Sequence, residues 1–88
     1  MIYKLYAIRD KKSEFAAPIP IKDHEGAIRW FDHEIKTKEF MTTYADDFEL
    51  YYVGSYDTEN GHTTGLELPE LVITGEEVSY GNKENNAI

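Results

Sequence analysis

Residues 48–56 read Phe-Glu-Leu-Tyr-Tyr-Val-Gly-Ser-Tyr and carry the strongest strand signal in the chain. Aromatic residues and Val favour strands, and the polar run 57–61 that follows ends the strand in a turn. The Asn-Gly pair within that run tolerates positive φ, so the turn is expected to close a hairpin. Residues 63–73 supply the returning strand, interrupted or bulged near Pro69. The sequence therefore predicts a central strand with an antiparallel neighbour.

Two more extended segments are predicted upstream of this hairpin. Residues 2–8 are rich in β-branched and aromatic side chains and end at a polar cluster, which indicates a strand and a turn. Residues 14–21 are also extended, but Pro18 and Pro20 lack a backbone donor, so this segment belongs at an edge or in a connector. Residues 39–46 are expected to form a loop that can include a short turn of helix.

A single helix is expected between these segments. Asp23 can cap it, and Glu25 lies in its first turn, where a carboxylate interacts favourably with the helix dipole. The helix is expected to run to about Lys38. Apolar residues recur near helical spacing and should face the sheet: Ala27, Ile28, Phe31 and Ile35.

The order of elements is strand, extended edge, helix, strand, strand. It predicts an α+β fold in which one helix crosses a small, mostly antiparallel sheet of three to four strands. A chain of 88 residues is long enough for one domain only. We expect residues 1–74 to form that domain and residues 75–88 to form a polar C-terminal tail, mobile unless a partner orders it.

The charge of the chain is strongly uneven. Asp and Glu outnumber Lys and Arg by 17 to 9, a net charge of −8, which argues against tight, sequence-independent DNA binding. Residues 1–38 nevertheless hold eight cations against six acids, a net of +2, whereas residues 39–88 hold one cation against eleven acids, a net of −10. Such a molecule can offer a basic face to an anion or pair its own halves across a dimer interface. The sequence leaves both options open.

Several classes of protein are disfavoured. The chain has no cysteine, so disulfides and thiolate metal sites are unavailable and a reducing compartment is expected. It has no leader-like N-terminus, and no apolar run approaches the roughly 20 residues that cross a bilayer. The three histidines lie on different predicted elements, and no Ser-His-Asp or paired-carboxylate arrangement can be assembled. We therefore expect a soluble protein that is not an enzyme and holds no metal or cofactor.

The first predicted strand is apolar on both sides. Alternation places Ile2, Tyr6 and Ile8 on one side and Tyr3, Leu5 and Ala7 on the other. One helix covers only one face of a sheet, so a second apolar face would be exposed in a monomer. We therefore expect a homodimer, with Ile2, Tyr6 and Ile8 as its candidate interface.

Four blocks of sequence carry a resemblance to a known family. They are Leu5–Ser13, Phe15–Pro18, Glu25–Phe31 and Ala45–Asp57, the last followed by the turn at Gly61. In this order they resemble the small nonstructural protein of the gokushoviruses, a branch of the tailless single-stranded DNA phages of the Microviridae. The resemblance implies a nonstructural protein in the host cytoplasm, often described as DNA-binding. It also implies a role in genome replication or in the switch to single-strand synthesis and packaging.

Candidate DNA-binding residues lie on the predicted helix and in the first turn. They are Lys11, Lys12, Arg29, Trp30, His33 and Lys36. The helical cations could follow phosphates while Trp30 stacks on an unpaired base. The alternative is an ordinary solvated helix face with Trp30 packed at its margin, which the interleaved Asp32 and Glu34 favour.

Five strand tyrosines suggest a second kind of site, a stacking platform for unpaired bases. They are Tyr3, Tyr6, Tyr51, Tyr52 and Tyr56. Core packing and a dimer interface are the alternatives, and they are favoured because strand aromatics normally pack against helices or a partner sheet.

Two functions follow from these observations. In the first, the chain binds single-stranded DNA weakly through its basic half, as a dimer, and acts in genome replication or packaging. In the second, it is a protein interaction module whose acidic half docks a replication or capsid-assembly protein without touching DNA. The resemblance favours the first, whereas the net charge favours the second.

Overall fold

The computed structural model describes residues 1–80, which form a four-stranded antiparallel sheet with helices on one face. The elements are β1 (Ile2–Asp10), β2 (Ile19–Ile21), α1 (His24–Thr37), α2 (Glu39–Thr43), a 3-10 turn (Ala45–Asp47), β3 (Phe48–Asp57) and β4 (Thr63–Thr74). A further helix, α3, covers residues 75–80. The strand order is β2-β1-β3-β4, so β1 and β3 are central. The predicted α+β class is confirmed.

The core lies between α1 and the sheet. Tyr6, Phe31 and Leu50 are its largest fully buried side chains, so β1, α1 and β3 each supply one. Ala27 and Ile35 are buried beside them, as the helical spacing predicts. The helix begins at its Asp23 cap, whose Oδ1 accepts a hydrogen bond from the Gly26 N–H at 2.8 Å.

The edge strand β2 pairs with β1 over three residues. Pairing along the same edge resumes at an isolated bridge between Arg9 and Phe15. Pro18 and Pro20 lie in this segment, and β2 is at the edge of the sheet where the prediction placed it.

The hairpin between β3 and β4 closes through its own polar side chains. Gly61 has φ of 75°, as the Asn-Gly pair predicts. Asp57 Oδ1 accepts a hydrogen bond from the Glu59 N–H, and Asn60 Oδ1 accepts one from the His62 N–H, each at 2.9 Å. The pairing of β4 with β3 is broken opposite Val53, where residues 66–69 have no partner on β3. This irregularity contains Pro69, as expected.

The end of the described chain corrects the expectation of a polar tail from residue 75. Residues 75–80 are helical, and Val78 is buried in the core. The Thr74 hydroxyl accepts a hydrogen bond from the Glu77 N–H at 3.0 Å and donates one to the Glu77 carboxylate at 3.2 Å. These contacts cap α3 and allow it to pack. The described helix therefore reaches Tyr80 and packs into the core through Val78, and residues 81–88 of the expected tail lie outside the described residues.

Candidate nucleic-acid surfaces

The predicted patch on α1 is partly neutralised by its own helix. Arg29, His33 and Lys36 are all exposed, as predicted. The Lys36 ammonium, however, lies 2.7 Å from the Asp32 carboxylate, in an i,i+4 pair. Within residues 1–80, Arg29 and His33 have no ion pair. The patch thus offers one free guanidinium and one imidazole to a phosphate chain.

Trp30 does not offer a free ring beside these cations. It is only partly exposed and packs against the core cluster. Its indole N–H donates a hydrogen bond to Glu34 Oε1 at 3.1 Å, and Glu34 also pairs with Lys38 at 3.6 Å. A base stacking on Trp30 would have to disturb these contacts, so the geometry favours a packing role for this side chain.

Lys11 and Lys12 lie in the turn after β1, on a different element from the α1 patch. The backbone N–H of Lys11 donates to the Asp47 carbonyl at 2.8 Å, and that of Lys12 donates to Asp10 Oδ1 at 2.9 Å. Both side chains are exposed and available to an anion. The six candidate residues therefore lie on two separate elements, and no contact within residues 1–80 joins them into one site.

Exposed aromatic rings that the sequence analysis did not single out lie near Lys12. Phe40 is 61% exposed and Tyr44 is 49% exposed, with ring centroids 4.9 Å apart. Together with Lys12, Asp10 and Asp47 they line a shallow depression of about 260 Å³. The two carboxylates oppose the lysine there, so the depression does not select an anion.

Tyr6 is a core residue, together with Tyr52. The Tyr6 hydroxyl lies 2.5 Å from His24 Nδ1, and its ring contacts those of His24 and Tyr52. Burial, with smaller contributions from Tyr52 and Asp23, raises the pKa of Tyr6 to about 12. The hydroxyl therefore stays protonated at neutral pH and forms a hydrogen bond with His24 Nδ1. Two of the five tyrosines are thus removed from the possible stacking platform.

The candidate dimer interface is affected by the same burial. Tyr6 is fully buried within a single chain, and Ile8 packs against the core cluster. Of the three residues proposed for the interface, only Ile2, at 65% exposed, remains on the surface. Tyr6 is corrected to a core position and Ile8 to a partly buried position against the core, because α1 covers the face of β1 that carries them.

The opposite face of the sheet keeps the other three tyrosines. Cross-strand partners share a face, so the register places Tyr3 beside Tyr56 and Ala7 beside Tyr51 and Leu71. We call this surface the open tyrosine face, because no described helix packs on it; it consists of Tyr3, Leu5, Ala7, Tyr51, Tyr56 and Leu71. Its three tyrosines are partly exposed, whereas Ala7 is buried between its neighbours. The described helices pack on the other side, where Phe31 and Val78 join the core. The period of two separates Tyr3 from Tyr6 and Tyr51 from Tyr52. Tyr56 shares the face of Tyr51 only because the register of β1 and β3 shifts at Val53, which simple alternation does not predict.

Phe15 lies at one end of the open tyrosine face, where it contacts β3. Its ring is 5.2 Å from that of Tyr51 in an edge contact, and it remains 41% exposed. The Arg9 guanidinium lies 5.7 Å from the Phe15 ring centroid and 3.7 Å from the Glu49 carboxylate. The face thus combines aromatic rings with one partly paired cation.

Metal-binding clusters and membrane-spanning helices are absent from the described part of the chain. Within residues 1–80, no group of three or more His, Cys, Asp or Glu side chains is arranged to hold a metal. No helix among these residues is long and apolar enough to span a membrane.

Comparison with known proteins identifies a phage family. No curated protein and no solved structure matches the chain. The model of the family described as Phage ORF5 protein matches residues 3–78, which span β1 from its second residue, the other three strands, α1, α2 and the first four residues of α3. The match therefore covers nearly all of the packed region described above. The chain therefore belongs to the Phage ORF5 protein family.

Proposed function

We propose that the chain is a nonstructural phage accessory protein that binds single-stranded DNA weakly and acts in replication or packaging of the genome. The observation that carries this proposal is the open tyrosine face on the two central strands. Unpaired bases stack on aromatic side chains of sheet surfaces, and stacking is tolerant of sequence. Membership of a phage family supports the setting.

The spacing of the tyrosines suits separate bases. Tyr3 and Tyr56 are cross-strand partners, whereas Tyr51 is paired with Ala7, four residues farther along β1. At about 3.3 Å per residue, these two positions lie roughly 13 Å apart along the strand. A single strand laid across the face could therefore place different bases on Tyr51 and on the Tyr3–Tyr56 pair.

Electrostatics limits the strength of this binding. Arg9 lies on the same face as Tyr51, and Lys11 and Lys12 follow it in the turn. Three cations neutralise at most three phosphates, so the salt slope for a single strand should be no steeper than about −2. The net charge of −8 repels the rest of the phosphate chain. Stacking must therefore supply most of the affinity.

Fluorescence anisotropy with a labelled single-stranded oligonucleotide tests the proposal. Tyr51→Leu and Tyr56→Leu should each weaken binding about tenfold, because stacking contributes about 1–3 kcal/mol per base. Leucine keeps an apolar side chain in the strand. Tyr44→Leu is the matched control, since Tyr44 is exposed but lies outside the open tyrosine face. A duplex of the same sequence should bind less well, because its bases are not free to stack.

The helix patch is tested by repeating the anisotropy measurement across a salt series with Arg29→Ala/Lys36→Ala. The double substitution should reduce affinity less than either tyrosine substitution. If it alone abolishes binding, the DNA site lies on α1 and the proposed surface is wrong. If the wild-type protein binds no single strand at low salt, DNA binding itself is rejected.

The charge distribution favours a second candidate, a protein interaction module with no DNA contact. Residues 39–80 hold ten Asp and Glu and no Lys or Arg. A surface of this sign attracts a basic partner and repels nucleic acid. This function stands if the anisotropy experiment shows no binding to DNA, and its natural partners are replication or capsid-assembly proteins of the phage.

A further inference from the structure

We infer that the outer edge of β4 binds an extended, basic peptide segment of a partner protein by strand addition. β4 is twelve residues long and is the last strand of the sheet, paired on one side only with β3. Alternate residues of such a strand direct their N–H and C=O groups away from the sheet. This inference concerns the edge of the sheet, which meets the open tyrosine face at Leu71, and it does not rest on DNA binding.

The two edges of the sheet are protected very differently. β2 is three residues long and contains Pro20, so its edge presents few backbone donors. On β4, residues 70–74 follow the irregularity around Pro69 and pair regularly with β3 except for one shift. Nothing in residues 1–80 pairs with the outer side of this stretch. The β4 edge is therefore the exposed hydrogen-bonding ladder of the described chain.

Two exposed leucines, one within this stretch and one just before it, can add apolar contacts to the ladder. Leu68 is 76% exposed and Leu71 is 51% exposed, although both lie on a strand. Soluble proteins usually place charges, especially lysine, on such an edge. β4 has no Lys or Arg to discourage an added strand. In strand addition, backbone hydrogen bonds supply affinity, while side chains such as these leucines select alternate residues of the partner.

Charge complementarity indicates that the peptide segment bound at the β4 edge is basic. Glu67 and Glu70 are exposed on β4, and Glu76 and Glu77 are exposed on α3, which follows directly. There is no cation in residues 39–80 to balance them. Exposed ion pairs are individually weak, but their sum steers association and rejects acidic partners. The segment that fits is extended, with Lys or Arg alternating with apolar or β-branched residues.

A second copy of this chain fits the edge poorly. Pairing of β4 with β4 around a two-fold axis would bring Glu67 and Glu70 of both copies to one interface, where like charges repel. Pairing of β4 with β2 of another copy would offer only three residues, and Pro20 interrupts them. The edge therefore selects a different chain of opposite charge.

The test uses the full chain and a short labelled peptide in which Lys alternates with Val or Thr. Fluorescence anisotropy should show saturable binding, and the same peptide with Glu in place of Lys should not bind. Glu67→Lys/Glu70→Lys should weaken the lysine peptide by about tenfold or more and allow the glutamate peptide to bind. Glu25→Lys/Glu39→Lys is the matched control, because it changes the net charge equally at exposed positions on the helices.

Two further probes separate strand addition from diffuse attraction. A lysine peptide N-methylated at alternate residues lacks the donors of one edge and should lose binding. Amide exchange of residues 70–74 should slow when the unmodified peptide is bound. Equal loss with both charge-reversed variants, or full binding of the methylated peptide, would overturn the inference. So would a dimer of the chain that the lysine peptide disrupts, since a second copy would then occupy the edge.

Discussion

The side chain of Tyr6 couples the sheet to the start of α1. It is fully buried, and its hydroxyl reaches the first residue of the helix, His24. The burial that removes the ring from water also disfavours the phenolate, which is why the pKa of Tyr6 rises to about 12. The folded state thus holds this proton more tightly than the unfolded chain does.

Alkaline pH should therefore destabilise the fold through Tyr6. A group whose pKa is raised on folding contributes stability below its unfolded pKa, near 10, and loses it as the pH rises toward about 12. The loss should reach at most about 2 to 3 kcal/mol at 1.36 kcal/mol per pKa unit. Urea unfolding between pH 9 and 12 measures it. Tyr6→Phe is the control and should show a shallower fall, and an unchanged slope in this variant would contradict the assignment.

Other single residues show where sequence reasoning succeeded and where it stopped. Helical spacing placed Arg29, His33 and Lys36 on one exposed face, and the structure agrees. The contacts of Lys36 with Asp32 and of Trp30 with Glu34 are i,i+4 pairs, which the same spacing allows. Spacing alone could not show that these pairs form, because that depends on side-chain rotamers and on how Trp30 meets the core.

Among the elements, β1, β3, β4 and α1 were predictable because each has a strong period and clear turn residues at its ends. α3 was missed, although Thr74-Gly-Glu-Glu77 matches the spacing of a capping box. The segment is short and polar apart from Val78, so periodicity gave no helical signal. Its helix depends on a cap and on one buried residue, and the latter is a tertiary contact.

The junction between β4 and α3 gives a direct test of that packing. Gly75 is buried, and a Cβ added there would meet the Ala45 carbonyl oxygen at 2.0 Å, a backbone atom that cannot easily move. Gly75→Ala should cost about 1–3 kcal/mol or more through overpacking. Gly65→Ala is the matched control, because a Cβ at Gly65 meets nothing within 4 Å. It should change stability by less than about 1 kcal/mol. Equal urea midpoints for the two variants would show that α3 does not pack as described.

At the scale of the whole molecule, the fold leaves two surfaces without a partner among the described residues, one on a face of the sheet and one at its edge. The open tyrosine face lies opposite the helices, and the free edge of β4 lies at the acidic side of the sheet. Composition had already shown the charge asymmetry between residues 1–38 and 39–88. It could not show which face the helices cover, because that depends on strand order and register. The two proposed binding surfaces therefore could be located only with the structure.

The homodimer expected from the sequence remains a prediction, and the burial of Tyr6 and Ile8 changes where it would form. The open tyrosine face is the apolar surface left for a second copy, so dimerisation and DNA stacking would use the same side chains. The two equilibria should respond oppositely to salt. Each chain carries a charge of −8, so added salt screens the repulsion between two copies. Salt weakens DNA binding, because neutralised phosphates release counterions.

Light scattering across a salt series, with and without a single-stranded oligonucleotide, tests this competition. At high salt and micromolar protein, the mass should approach twice the 10.2 kDa of one chain. At low salt with the oligonucleotide present, it should fall to one chain per bound strand. Tyr51→Lys should abolish the dimer, because it places a cation at the centre of the shared face, whereas Tyr44→Lys should leave it intact. A dimer that persists with DNA bound would mean that the two surfaces are separate, since one tyrosine ring cannot pack against a second copy and a base at once.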